Sequence, residues 1–179
     1  MLDASWPCAK ECSVRHGWLR FGATLAFGAG FAAAAPAMEF DVNGGASATA
    51  GVRWAPALFA DIGGTPGDDG HAHFTPVGSV GWIGSRSTDH DDLDHNVFLI
   101  AGGLRYGRAD GLFISEQIAA TSTRTDALSS RFEFMTSLGW RDGRWMVMLR
   151  HVSNAHIIGG GRNLGETMLL AGVRLGADS

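Results

Sequence analysis

The 179 residues are 45% hydrophobic and 18% charged, with a formal net charge of −4. That is enough chain for one domain, and the acidic balance excludes the basic footprint of a nucleic-acid binder. From Met38 onward there are eleven arginines against sixteen acids, with no lysine and no cysteine. Neither disulfide nor thiol chemistry is open to that part of the chain.

Arg15 and Arg20 precede an apolar run from Phe21 to Ala35 that ends in Ala35-Pro36-Ala37. A basic flank, a short Ala- and Gly-rich core and a small-x-small end describe a secretory signal peptide over residues 1–37. The run falls short of the roughly 20 residues that a transmembrane helix needs. A buried or membrane-anchoring helix is the competing interpretation. The stretch before Arg15 is long for a signal peptide and carries Asp3 and Glu11, as expected of a start site placed too far upstream. Cys8 and Cys12 fall in it and read as incidental.

Residues 38–179 divide into segments of about ten residues separated by turn-formers. The pattern predicts strands near 39–49, 51–61, 73–84, 97–106, 112–121, 130–140, 144–154 and 166–176. Asp142-Gly143, between two alternating runs, is a strong hairpin signal. Alternation is clearest late in the chain. Phe132, Phe134, Leu138 and Trp140 share one face, opposed by Arg131, Glu133, Ser137 and Gly139. Trp145, Val147 and Leu149 oppose Met146, Met148 and Arg150, and Leu169, Ala171, Val173 and Leu175 oppose Gly172 and Arg174.

Eight strands with one apolar face and one face of Arg, Glu, Ser and Gly predict an all-β, eight-stranded antiparallel up-and-down transmembrane barrel. Closure satisfies every backbone group without water, which an open sheet in lipid cannot do. The expected location is the outer membrane. The same alternation also serves a soluble barrel whose apolar face encloses a lipid. Outer-membrane barrels commonly end on an aromatic residue, whereas this chain ends Leu175-Gly176-Ala177-Asp178-Ser179, so Leu175 or another signal would have to direct assembly.

On strand parity His151 and Ser153 point the same way, onto the apolar face with Trp145, Val147 and Leu149. A base and a nucleophile on that face would meet lipid, so the natural substrate is a lipid. Same-face neighbours sit roughly 6–7 Å apart at Cα, so the two side chains must lean together. Asn154 and Asn163 are candidates for stabilising an oxyanion or fixing the loop, along with backbone N–H groups of residues 155–161. Asn154 reads equally well as a turn residue bonded to its own backbone.

Ser130-Arg131-Phe132-Glu133-Phe134, Leu138-Gly139-Trp140-Arg141-Asp142-Gly143-Arg144-Trp145, His151-Val152-Ser153-Asn154-Ala155 and Asn163-Leu164-Gly165 together resemble the lipid A 3-O-deacylase (PagL-type) family. The resemblance covers about the last third of the chain. It implies an outer-membrane esterase on an eight-stranded barrel, with lipid A in lipopolysaccharide as substrate. Ser153 would be the nucleophile, His151 its general base, and no cofactor or metal would be needed. The family places an acid two positions after the glycine of Asn-x-Gly. Here that position is Thr167, and Glu166 comes one earlier. Parity points Glu166 inward, so it completes the triad only if a bulge at Gly165 re-aims it; otherwise the enzyme works with a Ser–His pair. Gly159-Gly160-Gly161-Arg162 replaces the family's usual proline-bearing loop.

Asp89-His90-Asp91-Asp92-Leu93-Asp94-His95, with His71 and His73, has metal-ligand chemistry, but a solvated acidic loop explains it better. Arg131, Glu133 and Arg150 are expected in an ion-pair network filling the lumen. The rival function is a catalytically idle outer-membrane barrel with a structural, adhesive or lipid-binding role. Homodimerisation in the membrane is left open.

Overall fold

The computed structural model describes residues 37–48, 54–67, 69–86, 93–154 and 164–175, within the compact unit 34–179. The signal-peptide reading of 1–37, with Cys8 and Cys12, falls outside the described residues except at Ala37. The described chain is all-β: β1 (Met38–Ala48), β2 (Trp54–Gly64), β3 (His73–Ile83), β4 (Val97–Gly107), β5 (Gly111–Thr121), β6 (Phe132–Asp142), β7 (Trp145–Ser153) and β8 (Glu166–Leu175). Each pairs antiparallel with the next, and β1 pairs with β8, closing the barrel in chain order. The strands are 9 to 11 residues long, the length a tilted strand needs to cross a bilayer.

The expected boundaries differ most at β2, which runs from Trp54 to Gly64 rather than 51–61. Its end extends because Gly63 and Gly64 still pair with Glu39 and Met38. The β6–β7 hairpin turns on Gly143 and Arg144, one position beyond the expected Asp142-Gly143, since Asp142 already pairs with Trp145. Gly143 takes φ +53°, a conformation that favours glycine.

Alternation sorts the side chains onto two faces. Outward go Leu58, Ile62, Val80, Ile100, Leu112, Leu149 and Leu169, all exposed. Aromatic side chains cluster at both ends: Phe74, Tyr106, Trp140 and Trp145 at the short-turn rim, and Trp54, Phe98 and Phe132 at the rim with the longer loops. An apolar band between two aromatic girdles is the surface of a barrel that meets lipid. This corrects the soluble-barrel alternative, because the apolar face is turned outward and the lumen is filled.

Five arginines and five acids lie buried inside. Arg141 reaches Glu39 at 2.6 Å and Asp41 at 2.8 Å, while Arg105 reaches the same two acids at 2.5 and 3.4 Å. Arg150 pairs with Asp61 at 2.9 Å, receives support from Ser137 at 3.0 Å, and lies over the Phe59 ring. Phe113 receives Arg105 and Arg141 on its ring. Gly139 makes room for it, since a Cβ there would fall 2.4 Å from Phe113 Cζ. Nearer the long-loop rim the lumen turns apolar, with Leu93 and Leu128 of the loops packed in beside Ile83, Met135, Val152 and Met168.

Glu133 and Arg150 take their expected places in the lumen. Arg131 does not: it precedes β6 and is exposed, because the chain is still in the loop at that residue.

Removing one partner from a buried ion pair strands the other charge and costs about 3–5 kcal/mol. Arg141→Leu, which takes the shorter ion pair from Asp41 and leaves Glu39 and Asp41 to share Arg105, is therefore expected to lower stability by up to about that amount. Urea titration in lipid should show a far smaller change for Trp140→Leu, its outward neighbour.

Candidate active site

The end of β7 places His151 on the outer wall and leaves Ser153 half-buried on the same side, with Arg150 and Val152 turned inward. The β7–β8 ladder is unbroken: His151 faces Thr167 and Val152 faces Glu166. His151 Nδ1 lies 2.9 Å from Thr167 Oγ1. With Nδ1 protonated, the ring donates to that hydroxyl and its Nε2 keeps a lone pair, the form a general base requires.

Gly165 borders both same-face neighbours, His151 and Ser153, which make no hydrogen bond to each other in the structure. A Cβ there would lie 2.7 Å from His151 Cε1, 3.0 Å from Nε2 and 3.1 Å from Ser153 Cβ. The imidazole edge and the serine thus converge on the space left by the missing side chain. Gly165 also has φ +67°, so a substituted residue is strained as well as crowded.

The β5–β6 loop clamps both sides of this point. Gly165 N–H donates to Ala127 O at 3.0 Å, and Asn154 Nδ2 donates to Ser129 Oγ at 3.1 Å. The loop is held by the Thr125 hydroxyl, which accepts from Leu128 N–H at 3.0 Å, and by Ser130, whose N–H and hydroxyl both donate to Glu133 at 2.9 Å.

One expectation needs correction. Glu166 is fully buried in the lumen and forms a bidentate ion pair with Arg86. Gly165 introduces no bulge in the β7–β8 ladder, so parity holds and Thr167, not Glu166, meets the histidine. Asn154 is buried, and its amide is used on Ser129. It ties the β5–β6 loop to the strand end, the loop-fixing one of the two roles expected of it. Asn163 and residues 155–161 lie outside the described residues.

Two further polar groups stand on this wall that the sequence pattern did not single out. Glu116 of β5 and Thr136 of β6 are both exposed on the outside, and Thr136 Oγ1 donates to Glu116 Oε2 at 2.6 Å. The signal was available: Leu112, Ile114 and Ile118 are outward neighbours of Glu116 at even spacing. An acid interrupting a lipid-facing row is costly enough to ask for a role.

Apolar grooves flank the polar residues. One of about 270 Å³ is lined by Trp54, Leu149, Leu164 and Leu169, with Gly165 and Thr167 at its edge. Another of about 590 Å³ runs over Tyr106, Leu112, Ile114, Leu138 and Trp140.

Of the histidines with metal-ligand chemistry, His73 and His95 have other partners. His73 Nε2 bonds Asp69 at 2.8 Å and the His71 N–H donates to the same carboxylate at 2.9 Å. The His73 contact, with the His71 amide, holds Asp69 below the usual carboxylate range. His95 pairs with Asp94 at 2.8 Å. Asp89, His90, Asp91 and Asp92 lie outside the described residues, among which no group of three metal-ligating side chains occurs.

Fold and site together define a small closed antiparallel barrel with a charged, filled lumen and a His–Ser pair on its apolar outer wall. No protein-family model matches the chain, and no match was found among curated proteins. Among solved structures it is similar to Ail, the attachment invasion locus protein of Yersinia pestis, at 10% identity and a TM-score of 0.43, over 77% of this chain and 96% of that one.

Gly165→Ala is expected to leave the barrel folded but displace the imidazole of His151, which a Cβ there would meet at 2.7 Å. The His151 ring resonances in an NMR spectrum should move, while those of residues on β2 and β3 stay in place.

Proposed function

We propose that the protein is an outer-membrane serine esterase that removes the 3-O-linked acyl chain of lipid A. The observation that carries this reading is that His151 and Ser153 share the outside of the barrel, with Nδ1 engaged by Thr167 and with Nε2 and the serine Cβ both bordering the space at Gly165. A site on that wall is reached from the bilayer, so its substrate is an amphiphile. The resemblance of the last third of the chain to the lipid A 3-O-deacylases supplies the class.

In this reading the acyl chain lies in the groove beside Gly165 and Thr167, which brings its ester carbonyl to Ser153. As the Ser153 Oγ–carbon bond forms, the hydroxyl proton passes to His151 Nε2. Thr167 holds the ring in the required tautomer throughout. Collapse of the tetrahedral intermediate breaks the bond to the sugar 3-oxygen, which leaves with the proton from Nε2. Water then repeats the sequence on the acyl-enzyme: its proton goes to Nε2, its oxygen to the carbonyl carbon, and the fatty acid departs as Ser153 Oγ regains the proton. His151, Ser153 and Thr167 supply these steps without a cofactor.

The second reading, an idle barrel with an adhesive or lipid-binding role, is favoured by one observation. The partner of His151 is a hydroxyl, and Glu166, the acid next to that Thr167, is spent on Arg86.

Mass spectrometry of lipid A from cells expressing the chain should show loss of one 3-O-linked acyl mass, and Ser153→Ala should abolish it. Unchanged lipid A with a folded, inserted barrel would favour the idle reading. In the purified protein Thr167→Val is expected to slow turnover about tenfold, the loss of one hydrogen bond to the ring. Glu166→Gln, measured on the folded fraction, should stay within about threefold, as only electrostatics through the wall is lost.

A further inference from the structure

Between the two rims, the outward side chains of the described strands are apolar with five exceptions: Glu116, Thr136, His151, Ser153 and Thr167. They are contiguous. In register Glu116 pairs with Thr136, Thr136 with His151, and His151 with Thr167. The polar groups form one row across β5, β6, β7 and β8, with Ser153 one outward step beyond His151.

We infer that Glu116 and Thr136 belong to the same site as His151, with Glu116 a positioning acid that acts through the Thr136 hydroxyl. The inference rests on the esterase reading and names the acid that reading lacks. A carboxyl group facing lipid is expensive and persists where it has a function. Glu116 has a single hydrogen-bond partner among the described residues, the Thr136 hydroxyl at 2.6 Å. A hydroxyl that donates to Glu116 presents only lone pairs to its other neighbours. Thr136 stands opposite His151 in register, so those lone pairs lie on the strand that neighbours the imidazole. The carboxylate itself stands two strand spacings from His151, roughly 10 Å, across an apolar surface that screens charge poorly.

Among the acids of the eight strands, no other faces this part of the wall. Glu133, Glu166 and Asp61 face the lumen behind the wall, paired with Ser130, Arg86 and Arg150. Asp142 ends β6 at the far rim. When Ser153 attacks and its proton reaches Nε2, the ring becomes cationic, and the fixed charge and hydroxyl dipole on its β6 side stabilise it.

The test is the rate at which an alkyl fluorophosphonate modifies Ser153 in the bilayer-reconstituted protein, followed by intact mass. This reads activation of the nucleophile whatever ester is the substrate. Glu116→Gln and Thr136→Val are each expected to slow labelling about tenfold. The double variant should be no slower than either single one, because both act through one hydrogen bond. Glu116→Asp should recover part of the rate. The His151 imidazole N–H resonance should shift in Glu116→Gln and move back in Glu116→Asp, which a merely structural role would not produce. Wild-type labelling with an unaffected Glu116→Gln rate, or with fully additive losses, would overturn the inference alone. An unlabelled wild type would overturn the esterase reading as well.

Discussion

The buried pairing of arginines with acids is the constraint on which the rest of the structure depends. Arg141 and Arg105 share Glu39 and Asp41, and Arg150 holds Asp61. Because these charges are satisfied against one another inside, the outside is free to be apolar. A strand has only two faces, so putting the charged set inward commits the alternate residues to lipid. The phenylalanines inside serve the same purpose: Phe59 and Phe113 give arginine faces a surface that needs no hydrogen bond.

Against such a wall, any outward polar group stands out. The His151–Ser153 pair is held by three features that act locally. The β7–β8 register sets Thr167 opposite the imidazole, Gly165 leaves the space into which ring and serine lean, and the β5–β6 loop fixes the ends of both strands through Ala127 and Ser129. Glu166 works from the other side of the same sheet. By pairing with Arg86 it helps close the upper lumen beneath the site. The acid on the outer face is Glu116, reached across the sheet rather than along the chain.

Much of this was legible in the sequence because period-two alternation is a strong local signal. It placed all eight strands, the inward Arg150 and Glu133, and the shared outward face of His151 and Ser153. It also pointed Glu166 inward and Thr167 outward, as the structure has them; the resemblance alone made Glu166 the third catalytic residue. Arg131 was misplaced because alternation was extended into residues that are still loop. The role of Thr167 and the link between Glu116 and Thr136 depend on register between strands, which a single sequence does not encode. Asn154 shows a similar limit, since its use on Ser129 depends on how a distant loop folds back.

The central claim is that His151 and Ser153 face lipid on a wall whose alternate residues are buried. The most direct measurement is paramagnetic accessibility of spin labels on single cysteines at 146 to 153, in bilayer-reconstituted protein that starts at Met38 and has no native cysteine. High oxygen and low aqueous-nickel accessibility is expected at 147, 149, 151 and 153, and low accessibility to both reagents at 146, 148, 150 and 152. The reverse alternation, or free access of aqueous nickel to 151 and 153, would contradict it.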